Sequence, residues 1–237
     1  MAPRTQLALF LIMLAALLLR FWNLANIPPG LYPDEAMNGS NALEALSSSD
    51  WKVFYPENNG REGLFINIQS VFVAALGATP WALRIPSAIF GTLTVLGIFF
   101  LARLIFWEWA LRDNLALLAS FFTAASFWHI NFSRIGFRAI TAPFFLVWGL
   151  YFFLRFYKNI GSNFSQTLSA VLGGIFFGLG FHSYIAYRVM PLLLLIPLVQ
   201  GWRSYKSDHA GPERRSCFPC LAALFIFFAF IAFLPLG

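Results

Sequence analysis

The chain has 237 residues, of which 59% are hydrophobic, 11% are charged and 29 are phenylalanine. This composition excludes a soluble globular domain and is typical of a protein that buries itself in lipid. The net charge of +6 comes from basic residues scattered singly along the chain. That pattern favours a role in membrane orientation over nucleic-acid binding.

Seven apolar runs approach the roughly 20 residues that a membrane-spanning helix needs. They predict an all-α, polytopic helical bundle with spans at 6–23, 86–107, 114–130, 139–157, 166–185, 189–202 and 216–236. Arg20-Phe21-Trp22 follows the first run where a cleaved signal peptide would have small residues. We therefore expect the first run to stay in the mature protein as an uncleaved span.

One further apolar run, Leu64 to Leu76, is short for a span and contains Asn67 and Gln69. Loop charge decides where this run lies. If it lies along the surface and the N-terminus is cytoplasmic, the positive-inside tendency is obeyed by the charged inner loops, with Arg112, Arg155, Lys158, Arg203, Lys206, Arg214 and Arg215. We therefore predict that 64–77 is a juxtamembrane helix within a long first extracytoplasmic loop, about 24–85.

This topology places four segments on the outer face of a plasma or inner membrane: the first loop, the Ser133–Arg138 turn, the His182–Arg188 turn and the chain end. The sequence stops at Gly237, just after the last predicted span. We expect residues 1–237 to form one transmembrane module whose C-terminal continuation is missing.

The first loop concentrates the acidic residues, since six of the ten in the chain lie between Asp34 and Glu62. Asp34 and Glu35 follow a proline at the start of a plausible amphipathic helix, Asp34 to Leu46. One interpretation is that Asp34 caps this helix and Glu35 favours the positive end of its dipole. The other is that a carboxylate at the lipid–water boundary accepts a proton from a reacting hydroxyl or amine. The two roles are compatible.

Four segments occur in a fixed order along residues 20–155: Pro28-Pro29-Gly30-Leu31-Tyr32-Pro33-Asp34-Glu35-Ala36, Gly60-Arg61-Glu62-Gly63-Leu64-Phe65, Pro80-Trp81-Ala82-Leu83-Arg84-Ile85-Pro86-Ser87 and Phe132-Ser133-Arg134-Ile135-Gly136-Phe137-Arg138. In this order they resemble the GT-C superfamily of glycosyltransferases, particularly the branch with protein O-mannosyltransferases and lipid A aminoarabinose transferases. Two features depart from the pattern. Glu62-Gly63-Leu64 replaces a Pro-Pro-Leu motif, and Arg138-Ala139 stands where many relatives carry an acidic residue.

The resemblance implies a reaction. A hexosyl or pentosyl group would move from a polyprenyl-phosphate carrier to an extracytoplasmic lipid, glycan or protein, with Asp34 as general base and Glu35 as a helper or metal-facing residue. Negative charge develops on the departing phosphate, so cations are needed nearby. The candidates for binding the lipid phosphate or substrate are Arg84, Arg134, Arg61, Arg138, Glu62 and His182. The sequence specifies no cofactor and leaves a divalent cation open, for which Glu35 or Glu62 would be the ligand.

Other interpretations stay open. Each arginine would equally suit snorkelling to lipid headgroups. A transporter or flippase would place polar residues or broken helices near mid-membrane, whereas the mid-span positions here are mostly Leu, Phe, Ala and Gly. A non-catalytic, truncated paralogue is the third alternative. Cys217 and Cys220 have no second cysteine pair or histidine cluster, so we expect no zinc or redox role for them.

Overall fold

The computed structural model describes residues 1–57, 60–207 and 217–234. The regular structure within them is almost entirely helical, as the all-α prediction requires. In chain order the elements are α1 Pro3–Phe21, α2 Pro33–Ser48, β1 Phe54–Tyr55, β2 Arg61–Glu62, α3 Gly63–Leu76, α4 Pro80–Ile105, α5 Arg112–Ala125, α6 Phe127–Arg134, α7 Thr141–Tyr157, α8 Asn163–Leu179, α9 Leu192–Ser207 and α10 Phe218–Phe233. Three 3₁₀ turns lie at Arg138–Ile140, Gly180–His182 and Ile185–Val189.

Five helical segments are long and apolar enough to cross a membrane: Pro3–Phe21, Pro80–Ile105, Arg138–Tyr157, Asn163–His182 and Ile185–Tyr205. A sixth candidate is α5 followed by α6, which bend by 55° relative to each other. The seventh predicted span corresponds to α10, which has 16 residues and is short for a crossing; residues 235 and 236 lie outside the described part of the chain. The polytopic helical class is confirmed.

Two predicted span boundaries are wrong. The second span begins at Pro80 rather than at residue 86, because Thr79 caps the helix by accepting a hydrogen bond from the Ala82 backbone N (3.4 Å). The third span is not one straight helix over 114–130. Ser126 adopts an extended conformation that ends α5, and its side chain accepts from the His129 backbone N (3.5 Å) to start α6.

The first loop contains the two predicted helices. The amphipathic segment Asp34 to Leu46 lies within α2, and the short run 64–77 is α3. The small antiparallel hairpin of β1 and β2 between them was not predicted. Gly63 follows the hairpin, donates its backbone N–H to Val53 O (2.7 Å), and has no room for a Cβ beside the Lys52 carbonyl. A proline at this position would lack that donor, so the departure from Pro-Pro-Leu has a local structural reason.

The bundle is centred on α4, which packs against α1, α5 and α7, while α7, α8 and α10 form a second group. Phenylalanines fill the second group, including Phe153, Phe156, Phe177 and Phe225. Gly174 and Gly178 lie directly against the backbone of α10, where a Cβ would overlap its carbonyl oxygens. Small residues allow this close helix approach in lipid. Cys217 and Cys220 form a disulfide at the start of α10, which the sequence did not predict.

Three of the segments predicted to share the outer face, namely the first loop, the Ser133–Arg138 turn and the His182–Arg188 turn, meet the end of α10 at one end of the bundle, while residues 235–237 lie outside the described part of the chain. Gln69 of α3 reaches the Gly136 turn through its Nε2, which lies 3.4 Å from Gly136 O. The ring of Phe137 contacts that of Tyr184, and His182 contacts the carbonyl of Ala232 near the end of α10 (3.0 Å). Which side of the membrane this end faces stays a prediction. Arg214 and Arg215 of the predicted inner basic loop lie outside the described residues.

Candidate active site

The candidate site begins at the first turn of α2. Tyr32 is the N-cap residue, Pro33 occupies the first helical position and Asp34 the second. The backbone N of Tyr32 donates to Glu35 Oε2 (3.2 Å). The predicted capping role therefore belongs to Glu35 and not to Asp34, which is a correction of the sequence interpretation. Asp34 is left half-buried on the adjacent face of the helix.

Glu35 is buried and forms an ion pair with Arg84, with Oε1 2.8 Å from the arginine Nε. The same oxygen accepts from the backbone N of Gly136 (3.1 Å). Oε2 accepts from Arg84 Nη2 (3.2 Å) as well as from Tyr32. Each carboxylate oxygen thus receives two hydrogen bonds. This geometry favours a structural role for Glu35 over the predicted metal-facing one.

Arg84 is also buried, and protein acceptors surround its whole guanidinium. Besides Glu35, its Nη1 donates to the carbonyls of Leu24 (3.1 Å) and Pro28 (3.0 Å), and its Nη2 donates to that of Gly30. These carbonyls belong to the irregular segment between α1 and α2. Arg84 therefore shapes this segment, and the geometry favours that role over the predicted contact with a lipid phosphate.

Arg61 connects the β hairpin to α2. Its Nη1 and Nη2 donate to the side-chain oxygens of Asn38 and Asn41, one and two turns after Glu35 on the same helix face. Burial is the main factor that lowers the pKa of Arg61, and the nearby positive charge of Arg138 lowers it further. The carboxylate of Asp34 acts in the opposite direction. Arg61 is therefore close enough to interact electrostatically with both Asp34 and Arg138.

Arg138 is held less completely than Arg61, Arg84 and Arg134. Its Nε lies 3.2 Å from Glu62 Oε2, and its guanidinium lies over the Tyr184 ring, 5.7 Å from the centroid. Neither the Nε nor the Glu62 Oε2 has a hydrogen bond of good geometry within the described residues. Both side chains are about 15% exposed or less. The Nε and the Oε2 are buried against each other, whereas the two Nη atoms of Arg138 and the Oε1 of Glu62 have no hydrogen bond among the described residues and keep this capacity for a ligand.

Two further arginines lie in the membrane-spanning part near the site. Arg134 of α6 donates to the carbonyls of Leu19 (2.8 Å) and Trp22 (2.7 Å) at the end of α1, and also to Ile27. This geometry favours a structural role over the predicted phosphate contact. Arg20 of α1 was not identified as a candidate from the sequence, although an arginine inside an apolar run usually faces the interior of a helical bundle and has a specific partner there.

Arg20 is fully buried and donates to carbonyls at the end of α5. Its Nη1 reaches Ala124 O and its Nη2 reaches Thr123 O, both at 3.3 Å. Its Nη2 also lies 2.9 Å from His129 Nδ1. The bend at Ser126 leaves carbonyls at the end of α5 without helical partners. Arg20 supplies donors to them.

His182 lies at the same end of the bundle, where its Nε2 contacts Ala232 O and its ring packs near Phe233. It therefore has a protein partner, and its predicted substrate role stays a prediction. Within residues 1–57, 60–207 and 217–234, no three His, Cys, Asp or Glu side chains are grouped so that they could hold a metal ion. Of the two predicted cation ligands, Glu62 has a carboxylate that accepts fewer hydrogen bonds than that of Glu35.

Comparison with known proteins identifies the family. No curated protein and no solved structure matches the chain. Residues 64–235, more than half of the chain, match the family described as dolichyl-phosphate-mannose-protein mannosyltransferase. The match includes Arg84, Arg134, Arg138 and His182 but begins after Asp34. Membership supports glycosyltransferase activity with a polyprenyl-phosphate-linked mannose donor at the level of the family. With its helical membrane architecture and its ordered motifs, the chain belongs to the dolichyl-phosphate-mannose-protein mannosyltransferase family of GT-C membrane glycosyltransferases.

Proposed function

We propose that this protein transfers a sugar from a polyprenyl-phosphate carrier to an extracytoplasmic acceptor, with Asp34 as the general base. The observation that carries the proposal is the position of Asp34. It lies on the first turn of a helix that Glu35, Asn38 and Asn41 fix to the bundle, and it interacts electrostatically with Arg61. A carboxylate held in this way is oriented before the substrate arrives.

The reaction is a single displacement at the anomeric carbon. A hydroxyl of the acceptor gives its proton to Asp34 while its oxygen forms a bond to the sugar C1. The bond between C1 and the phosphate oxygen breaks, and its electron pair stays with the prenyl phosphate. Attack opposite the leaving group inverts the configuration at C1.

Arg138 is the side chain that we assign to the leaving phosphate. It retains donors that Arg84 and Arg134 have committed to backbone carbonyls. A guanidinium stabilises the phosphate most strongly as negative charge develops in the transition state. Glu62 would hold a divalent cation if the reaction uses one.

The proposal is tested by sugar transfer in membranes that contain wild type or Asp34→Asn. The amide keeps the shape of the side chain but cannot accept the proton. General-base catalysis contributes about 10²- to 10⁴-fold, so we expect transfer from dolichyl phosphate mannose to fall by at least about 100-fold at equal protein abundance. Equal transfer by both proteins would reject Asp34 as the base.

The orientation of the protein in the membrane is part of the proposal. Arg112, Arg155, Lys158 and Arg203 support a cytoplasmic location for the end of the bundle opposite the site. The disulfide between Cys217 and Cys220 lies at that opposite end and argues against this orientation, because disulfides persist mainly in oxidising compartments. Single cysteines introduced at Ser48 and Lys158 of a chain lacking the native pair decide between the two. We expect an impermeant thiol reagent added from outside to label position 48, and labelling of position 158 instead would reverse the topology.

A further inference from the structure

Four aromatic rings form a row across the end of the bundle that carries the site. Trp128 stacks on Phe132, with ring centroids 6.3 Å apart and ring planes inclined by 26°. Phe132 stacks on Phe137 at 5.5 Å and 24°. Phe137 contacts Tyr184 at 6.5 Å. We call these four residues the aromatic track.

The two ends of the aromatic track have different surroundings. At one end, Trp128 is 69% exposed, and Phe127 and Phe122 beside the helix bend are similarly exposed. These rings lie on an apolar span candidate, so their exposed surface faces lipid. Phe132, Phe137 and Tyr184 are half-buried. At the other end, the Arg138 guanidinium lies over the Tyr184 ring, beside Glu62.

The aromatic track is also fixed relative to Asp34. The turn between Phe132 and Phe137 includes Gly136, whose backbone N donates to Glu35 and whose carbonyl accepts from Asn38 Nδ2 (2.9 Å). A Cβ at Gly136 would lie only 2.8 Å from Gln69 Nε2 and 3.1 Å from the Glu35 side chain. The turn is therefore packed directly against α2, which carries Asp34.

A ligand that matches both ends must be apolar along its length and anionic at one terminus. We propose that the aromatic track binds the prenyl chain of the lipid-phosphate donor and brings its phosphate to Arg138. The inference rests on the proposed function, from which the donor class is taken. Aromatic side chains pack well against the methyl groups and double bonds of a prenyl chain, and the edges of the stacked rings along the track are the surface that such a chain would contact. A phosphate bound at Arg138 would place the attached sugar on the same side of the site as Asp34 and Arg61, whose charges interact.

The test measures binding and not transfer. Purified full-length protein in lipid nanodiscs is titrated with two probes, a long polyprenyl monophosphate and dimethylallyl monophosphate, which has a single prenyl unit. Three ring-to-ring steps separate Trp128 from Tyr184, the ring under Arg138, so a long chain can extend to Trp128 and a single prenyl unit stays near Tyr184. We expect Trp128→Leu to weaken binding of the long probe by about three- to tenfold, the value of an aromatic contact, and to leave dimethylallyl monophosphate binding unchanged.

Phe122→Leu is the matched control, because it removes an equally exposed ring one helical turn before the bend. We expect it to change neither affinity. Trp128 is largely exposed, so its replacement should not disturb folding; comparing the unfolding midpoints of both variants checks this. If Trp128→Leu leaves the affinity of the long probe at the wild-type value, or if Phe122→Leu weakens it equally, the proposal is wrong.

Dioleoyl phosphatidic acid, which also carries a monophosphate, separates a donor site from a general lipid contact. Weaker binding of this lipid, with no loss in Trp128→Leu, supports the prenyl assignment. If this lipid binds as tightly as the long prenyl probe and loses as much affinity in Trp128→Leu, the prenyl assignment is wrong. Because no sugar or acceptor is present, failure of this test leaves the role of Asp34 intact, and active Asp34→Asn protein would leave the aromatic track intact.

Discussion

Asp34 and Glu35 are neighbours in the sequence, but the structure places them in different environments. Glu35 is buried, and each of its oxygens accepts two hydrogen bonds. Asp34 is half-buried and interacts with the charge of Arg61. Successive helical residues point about 100° apart, so the start of α2 directs one carboxylate into the bundle and the other towards the open side. The pair therefore combines a structural residue with a candidate catalytic one.

The arginines divide in the same way. The guanidinium of Arg84 is surrounded by backbone carbonyls and Glu35, and Arg134 donates to three carbonyls. Arg138 instead contacts a carboxylate and an aromatic face. Complete hydrogen bonding marks a side chain that holds the fold, and incomplete hydrogen bonding at a partly open position marks one that can bind a ligand. Substitutions of fully hydrogen-bonded side chains and of incompletely hydrogen-bonded ones test this distinction.

The largest effect on stability should come from Arg84→Met. It leaves the buried charge of Glu35 without its partner, which typically costs about 3–5 kcal/mol. We expect a decrease of this size in the free energy of unfolding, measured by reversible titration with a denaturing detergent. The double variant Arg84→Met/Glu35→Gln should recover part of the loss, because no unpaired charge stays buried. Wild-type stability of the single variant would contradict the structural role.

The next effect concerns ligand binding. Arg138→Gln should weaken binding of a polyprenyl monophosphate about 10- to 100-fold, since a hydrogen bond to a charged group is worth about 1.5–3 kcal/mol. Its free energy of unfolding should also fall, because the largely buried Glu62 carboxylate loses its partner, but by less than the roughly 3–5 kcal/mol expected for a fully buried pair. Arg138→Lys keeps the charge and should retain part of the affinity. Full affinity of Arg138→Gln in a titration would show that the phosphate binds elsewhere.

Asn38→Ala should have a smaller effect on stability. Asn38 accepts from Arg61 and donates to Gly136 O, so its removal takes the Asn38 acceptor from Arg61 Nη1 and leaves Gly136 O with the longer bond from Gln69 Nε2 (3.4 Å). We expect a loss of about 1–3 kcal/mol in the free energy of unfolding. Asn41→Ala is the control, since Asn41 accepts from Arg61 but has no contact with the Gly136 turn among the described residues. An equal or larger loss for Asn41→Ala would mean that the contact with Gly136 contributes nothing.

The smallest effect is expected at the exposed end of α2. Glu44 pairs with Lys52 at 2.9 Å, and this pairing lowers the pKa of the carboxyl. Solvent and salt screen such exposed pairs. Glu44→Gln should therefore leave the unfolding transition at the wild-type position in 0.15 M salt. A clear shift would show that the partly exposed side of the loop also contributes to stability.

Much of the fold could be predicted from the sequence, because hydrophobic runs report membrane spans directly. The bend at Ser126 could not, since a serine in an apolar run is common and its extended conformation depends on neighbouring helices. In the site, the sequence identified Asp34 and Glu35 as candidates but gave Arg84, Arg134 and Arg138 the same predicted role. The contacts that separate Arg84 and Arg134 from Arg138 join residues 49 and 115 positions apart. The order of the motifs does not show which arginines donate hydrogen bonds to backbone carbonyls.

Arg20 of α1 and Arg134 of the bent span each donate hydrogen bonds to the other segment, and this has a consequence for biosynthesis. The Nη atoms of Arg20 donate to carbonyls 103 and 104 residues later in the chain, and Arg134 donates to a carbonyl at the end of α1. Arg20 is the second-last residue of α1, so a lone α1 holds it near the membrane boundary without these acceptors, at a cost below the roughly 2.5–3.5 kcal/mol of an arginine at the bilayer centre. Insertion of the first helix should therefore stay reversible until the third span emerges from the ribosome. Nascent chains arrested before Arg112 should be extracted from membranes by alkali more readily than chains arrested after Thr141, and equal extraction would show that α1 is anchored without its partner.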